Sequence, residues 1–267
     1  MPTQLSETAV EQAADRLAEA AATGRPCAPV RDLIGPDDVD AAYAVQRRLA
    51  ARRTEAGARV AGRKIGLTNP AVQAQLGVDT PDFGVLFDDM AVADGATVPA
   101  GRLLQPRIEA EVAFVLGADL DGDVTDEHVR AAVDHQGAAL EIVDSRVAGW
   151  DITFGDTVAD NGSSGLYVLG PQRVGLDQVR PVDVTMTLRR GDEQVSAGTG
   201  AACLGDPLAA LAWLARTARD LGNPLRAGEV VLSGALGPMV PVAPGDAYSA
   251  HVTGLGDVAV TFAKETP

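Results

Sequence analysis

Residues 107–114 read RIEAEVAF, and how this stretch is read decides the class of the fold. Its residues alternate, so as a β-strand it points Ile108, Ala110, Val112 and Phe114 to one face and Arg107, Glu109, Glu111 and Ala113 to the other. Two carboxylates then lie side by side. The VLG that follows keeps the run too apolar for a simple edge strand, so something has to hold two like charges together on one patch of a sheet.

Outward from this stretch, the chain after residue 62 is a series of short apolar runs punctuated by Gly, Pro and Asp: FGVLF, IEAEVAFVLG, ALEIVDS, GLYVLG, VDVTMTLRR, EVVLSGALG and DVAVTF. A β-rich body over 62–267 is expected. Before it, residues 7–23 and 36–53 carry apolar residues at helical spacing, the second run opening with Pro36 and Asp37 as start signals, so 1–61 reads as a helical N-terminal segment of one continuous functional unit. Two helices are expected to interrupt the strands. One lies near 125–137 with Thr125 as cap, and the other near 207–221, where Asp206 and Pro207 open it and Gly222 closes it. Strands that dominate without regular alternation with helices point to an α+β domain rather than a doubly wound or barrel arrangement.

Composition narrows the function. A net charge of −15 argues against nucleic acid and anionic membrane as partners, since both reward a positive field. No stretch approaches the length of an apolar membrane span, and the acidic, amphipathic N-terminus does not resemble a signal peptide, so the expected location is the cytoplasm. Cys27 and Cys203 lie far apart without a CxxC pattern and read as buried thiols. His128, His135 and His251 are the only histidines, so a metal site here has to be built mainly from oxygen ligands. No GxGxxG or GxxxxGK[ST] motif suggests a nucleotide.

A divalent cation is the strongest candidate for holding Glu109 and Glu111 together, because two unscreened carboxylates raise each other's pKa. The residues alone also allow a solvated strand face with Arg107 nearby. A second strand, ALEIVDSR, places Glu141 between apolar residues and Asp144 on the opposite face. Three strand-borne acids make an oxygen-rich cluster suited to Mg²⁺ or Mn²⁺. His128 and His135, seven apart on the expected helix, read as solvated, and Trp150 and Trp213 as packing residues.

Six blocks, KIGLTNPAVQAQLGVDTPDFGVLF, LLQPRIEAEVAFVL, ALEIVDSR, DTVADNGSSGLYVLG, CLGDPLAALAWLA and VVLSGALGPMVPVAPGD, occur in an order that closely resembles the 2-keto-4-pentenoate (2-hydroxypenta-2,4-dienoate) hydratases of the fumarylacetoacetate hydrolase superfamily. The resemblance covers nearly the whole chain. It implies a twisted mixed β-roll behind a helical N-terminal segment, and Glu109, Glu111 and Glu141 as ligands of Mg²⁺ or Mn²⁺. It further implies Lys64 of GRKIGLT and Asp82 of DTPDFGVL as catalytic residues, and Ser163 of ADNGSSGLY as a hydroxyl donor to the substrate carboxylate. Without the resemblance, Lys64 reads as a surface lysine at a strand end and the TPD turn as structural. GALGP at 234–238 belongs to the same resemblance and is given no catalytic residue.

The implied substrate is a small 2-oxo or 2-hydroxydienoic acid, with water added at C4 in catabolism of aromatic or sterol-derived compounds. The implied assembly is a homo-oligomer built on pentamers, with association to a downstream aldolase or a sister decarboxylase. Three other readings stay open. A 4-oxalocrotonate decarboxylase shares the site and differs by accepting a second carboxylate. Carbon–carbon hydrolases of the superfamily use a His and Glu pair in an N-terminal lid, and no His precedes His128. A non-catalytic acidic metal-binding protein has no need of Lys64 and Asp82 beside the glutamates.

Overall fold

In the computed structural model, which describes residues 7–69, 73 and 78–264, the chain opens with α1 (Glu7–Thr23), the short α2 (Arg31–Ile34) and α3 (Val39–Glu55). Ala14 and Leu17 of α1 and Ala42 and Val45 of α3 bury against Phe154 and Val158, which lie much later in the chain. Helix α3 is capped by Asp38 rather than opened by Pro36 and Asp37. The Asp38 carboxylate accepts from the Ala41 amide at 2.9 Å, and the residue whose side chain reaches that amide is the one that caps the helix.

The strands follow as β1 (Val60–Gly66), β2 (Asp82–Phe87), β3 (Ala91–Val92), β4 (Thr97–Val98) and β5 (Pro106–Leu116). After α4 (Asp126–Ala132) come β6 (Val133–Asp144), α5 (Phe154–Ala159), β7 (Ser164–Leu169), β8 (Thr185–Arg190) and β9 (Glu193–Thr199). Helix α6 (Pro207–Asp220) precedes β10 (Val230–Ala235), β11 (Val240–Pro241), β12 (Ala247–Val252) and β13 (Gly256–Phe262). They form an 8-stranded sheet in the order β2-β1-β10-β5-β6-β7-β3, with β11 beside β5, and a 5-stranded sheet in the order β4-β13-β12-β8-β9. Parallel pairs (β1 with β10, β3 with β7, β4 with β13) sit among antiparallel ones, so both sheets are mixed. One apolar core joins them, with Ala110, Val112 and Leu140 from the larger sheet and Leu188, Ala250 and Val258 from the smaller. The fold is therefore α+β, as the strand pattern implies.

The helix expected near 125–137 is shorter. Thr125 caps it through the His128 amide at 3.2 Å, but from Val133 the backbone pairs with β5, with Leu116 opposite Val133 and Val115 opposite His135. The long β5–β6 ladder satisfies those backbone groups in place of the last five residues of the expected helix, and His135 consequently stands on a strand. Helix α6 starts where expected, with Asp206 accepting from the Leu208 amide at 2.9 Å, and Gly222 beyond its end has φ +74°. Cys203 is buried as expected, whereas Cys27 is only half-buried. Among the described residues no helix is long and apolar enough to cross a membrane.

Candidate metal centre and active site

Strands β5 and β6 pair antiparallel with Glu109 directly opposite Glu141 and Glu111 opposite Ala139. Like charges facing each other across a ladder are destabilising unless a third partner is present. A solvated face is ruled out as that relief, because Glu109 is 6 % exposed and Glu111 and Glu141 are 0 % exposed. One carboxylate oxygen from each of the three lies within 4.8 Å of the others. Glu111 Oε2 accepts from the Gly234 amide at 2.7 Å. Glu111 Oε1 and both Glu141 oxygens have no hydrogen-bond partner.

Burial, the largest influence, pushes all three carboxyls above the usual carboxylate range. For Glu109 and Glu111 the negative charge of Glu141 adds to it, while Lys64 opposes it for all three. Buried carboxylates with orphaned oxygens pointing at one another are a donor set for a hard divalent cation, which neutralises the charge and occupies the free lone pairs. Chain geometry prepares this cluster. Strand β10 shifts register against β5 between Leu232 and Ala235, and the bulge, with Gly234 at φ +108°, turns its N–H toward Glu111. GALGP thus contributes a backbone donor, which the sequence pattern did not single out.

Lys64 lies on β1, two strands from β5 across β10. It is buried, and its Nζ stands 3.4 Å from Glu141 Oε1, an ion pair without hydrogen-bond geometry. Burial is the largest single influence on the lysine and disfavours its charge, but Glu141, Asp82, Glu109 and Glu111 together outweigh it and hold its pKa above the ordinary lysine range. The group is a cation in this environment. Asp82, the first residue of β2, pairs with Gly66 and is fully enclosed; burial raises its pKa and Lys64 opposes the rise.

Two glycines make room for this pair. A Cβ on Gly66 would lie 2.1 Å from Asp82 Oδ1, and one on Gly162 would lie 3.1 Å from Lys64 Cε and 3.2 Å from Asp82 Oδ2. Ser163 is buried in the turn before β7, and its Oγ shares a hydrogen bond of 3.0 Å with Thr157 Oγ1 on α5. Asp144, on the face opposite Glu141, instead accepts from the Leu104 and Gln105 amides at 2.9 and 2.6 Å.

Lys64, Asp82, Glu109 and Ser163 all border one cavity of about 430 Å³, with Thr157 and Trp150 among its other walls. The structure therefore brings the residues singled out in the sequence to one place, since Glu111 and Glu141 share the cluster with Glu109. Trp150, expected to be a packing residue, is half-buried and lines this cavity; a lone tryptophan after a strand carries no periodic signal that separates wall from core. Thr157 was also missed, because its approach to Ser163 depends on α5. None of the histidines borders the cavity, and His135 and His251 pair with Asp134 and Asp257, each at 2.7 Å.

The model of the fumarylacetoacetate hydrolase C-terminal family matches residues 51–263. Over 253 residues, 94 % of either chain, the protein is 54 % identical to a 2-keto-4-pentenoate hydratase of Paraburkholderia xenovorans. It is 41 % identical to a 2-hydroxyhexa-2,4-dienoate hydratase of Comamonas testosteroni, with 96 % of this chain and 98 % of that one covered. Among solved structures, 4-oxalocrotonate decarboxylase from Pseudomonas putida G7, complexed with magnesium and adipate, superposes with a TM-score of 0.93 at 33 % identity, covering 97 % of this chain and 99 % of that chain. The buried glutamate cluster on a mixed two-sheet roll and these matches over nearly the full length lead to one conclusion: the chain belongs to the fumarylacetoacetate hydrolase family.

Proposed function

We propose that this protein is a hydro-lyase that adds water to 2-hydroxypenta-2,4-dienoate or a close analogue to give 4-hydroxy-2-oxopentanoate, with Mg²⁺ or Mn²⁺ held by Glu109, Glu111 and Glu141. The observation that carries the reading is the trio of buried carboxylates with unpartnered oxygens beside Lys64 and Asp82 in one cavity. The 54 % identity to a named hydratase supports it. A cation held by these three carboxylates would supply Lewis acidity for the negative charge that develops on the substrate.

The chain's own residues supply the rest. In the dienol form the proton on the C2 oxygen must leave and another must arrive at C5, giving a conjugated 2-oxo acid; water then adds with its hydroxyl to C4 and a proton to C3. Lys64, a buried cation 3.4 Å from Glu141, offers positive charge on the side of the cavity where the C2 oxygen gains negative charge. Asp82, a carboxyl whose burial favours the protonated form, exchanges protons at its Oδ atoms and holds the attacking water by a hydrogen bond. Ser163 Oγ donates to the substrate carboxylate, and Thr157 fixes that hydroxyl's direction. Asp82, itself buried at the cavity wall, orients the water delivered at C4.

The reading extends to a cytoplasmic enzyme with helical segment 1–61 and body 62–267 working as one unit. It assembles as a homo-oligomer built on pentamers, beside an aldolase that consumes its product. Light scattering at micromolar concentration tests the assembly, and a monomer would refute it. For the activity, freshly generated 2-hydroxypenta-2,4-dienoate and, separately, 4-oxalocrotonate are given to the Mg²⁺-loaded protein. Formation of 4-hydroxy-2-oxopentanoate without CO₂ release from the second compound supports hydration; CO₂ release without hydration makes the protein a decarboxylase.

A further inference from the structure

Trp150 has backbone φ +57°, a left-handed conformation that a bulky side chain rarely adopts. The surroundings over-determine it. Its indole Nε1 donates to Gln105 O at 3.0 Å, Gln105 Oε1 accepts from the Gly149 amide at 2.7 Å, and Gln105 Nε2 donates to Ser145 O and Val147 O at 2.9 Å each. Strain that a local network holds in place at the wall of a ligand cavity is a reason to look for function there.

The ring's position follows from the β5–β6 register. Arg107 is directly opposite Val143, one side-chain repeat along the same face from the Glu109–Glu141 pair, which is about 7 Å further along the strand. The Arg107 guanidinium lies 4.5 Å from the Trp150 ring centroid, and its Nη1 is 3.9 Å from Met239 Sδ. Trp150 borders two cavities, the active one of about 430 Å³ and a second of about 470 Å³ walled by Leu103, Pro106, Val242 and Phe262. Arg107 borders only the second. The indole is thus a wall shared by the two cavities, and Arg107, on the strand face that carries the glutamates, lies against it from the side of the second cavity.

We propose that Trp150 is the specificity-determining residue for the far end of the substrate: its indole closes the active cavity to long chains and screens Arg107 from it, so that an uncharged, short end is accepted and a second carboxylate is refused. Apart from Lys64, which faces the glutamates, no cationic side chain among the described residues borders the active cavity, so a distal carboxylate meets apolar walls and goes unpaired. The inference rests on reading this cavity as the active site of a hydratase, and it deepens that reading by naming a monocarboxylate with a small distal group.

The test is calorimetric binding, with Mg²⁺ present, of unreactive 2-oxo acids to the parent, Trp150→Ala and Trp150→Ala/Arg107→Met. In the parent, affinity is expected to rise about fourfold per added methylene until the chain meets the indole and then to fall. 2-Oxoadipate is expected to bind at least tenfold more weakly than 2-oxohexanoate. In Trp150→Ala the fall moves to longer chains and the gap between the two six-carbon acids narrows at least tenfold; adding Arg107→Met restores the gap. An unchanged gap in Trp150→Ala, or a gain that persists without Arg107, overturns the proposal. Should Trp150→Ala not fold, Trp150→Phe, which keeps a smaller ring over Arg107, is expected to narrow the gap about threefold, and no narrowing refutes the idea equally. Dienoate hydration by the parent, followed in parallel, separates the two readings: a shifted binding profile without hydration sinks only the assigned reaction, and hydration with an unshifted profile sinks only the role of Trp150.

Discussion

Replacing Glu111 with Gln is expected to push metal affinity and metal-free stability in opposite directions. In the wild type, Glu111 Oε2 accepts from the Gly234 amide at 2.7 Å and Oε1 has no partner. The amide oxygen of Gln keeps the first bond, and its NH₂ takes the place of the orphaned oxygen, facing carboxylates whose nearest oxygens lie within 4.8 Å. An NH₂ group cannot ligate a cation. Loss of groups that merely orient metal ligands costs 10–100-fold in affinity, so loss of a ligand itself is expected to cost about 100-fold or more, roughly 2.7 kcal/mol. Without metal the sign reverses. Two unit charges at that separation and an effective dielectric of 20 repel by about 3 kcal/mol, and Glu111 takes part in two of the three such pairs. Protonation already relieves part of this, so a net gain of about 1–3 kcal/mol in stability at pH 8 is expected. Calorimetric titration with Mn²⁺ and urea unfolding in EDTA measure the two quantities. Affinity within threefold of the wild type, or a metal-free variant less stable than its parent, would refute the assignment of this cluster as a cation site.

Lys64→Met removes the cation that faces Glu141 and Asp82, and kcat is expected to fall by about 10²–10⁴-fold, measured by loss of the dienoate chromophore. Gly66→Ala forces a Cβ to within 2.1 Å of Asp82 Oδ1, so Asp82 has to move; a displacement near 1 Å costs about 100-fold in turnover, with circular dichroism and metal titration showing that the fold and the glutamate cluster persist. The metal-free protein should lose stability as pH rises above the ordinary carboxyl pKa. Glu109, Glu111, Glu141 and Asp82 all have raised pKa values in the fold, so the native state holds protons that the unfolded chain has released, and each such proton contributes about 1.4 kcal/mol per pH unit. Urea midpoints in EDTA between pH 5 and 8 should therefore decline, and saturating Mn²⁺ should flatten or reverse the slope; a rising midpoint in EDTA would contradict the burial argument.

The alternation in RIEAEVAF determined by itself that Glu109 and Glu111 share a face, because side-chain period along a strand is a local property of the backbone. The same holds for the Asp206 cap of α6 and for Asp144 standing opposite Glu141. What those faces meet is not local. Whether the glutamates lay in water or in the interior depended on what the rest of the chain packs over that face of the sheet, which leaves Glu111 and Glu141 with no exposure. The choice between helix and strand at Val133–Gln136 likewise depended on pairing with β5, to which local helical spacing is blind.

Lys64 and Asp82 illustrate the boundary most clearly. Resemblance to a family singled them out by position, but their meeting depends on β1 and β2 pairing across a segment whose residues 70–72 and 74–77 lie outside the described structure, and on glycines whose missing side chains leave the space. Trp150 reads as a packing residue and in the fold also lines a cavity, because a tryptophan looks the same in sequence whether it fills a core or borders a cavity. Its φ, its Gln105 clamp and the cation behind its ring exist only once residues some forty positions apart are folded together. Periodicity and capping are encoded within a few residues and can be read directly. Burial, charge coupling and cavity walls arise from contacts between distant segments, and only the tertiary structure decides them.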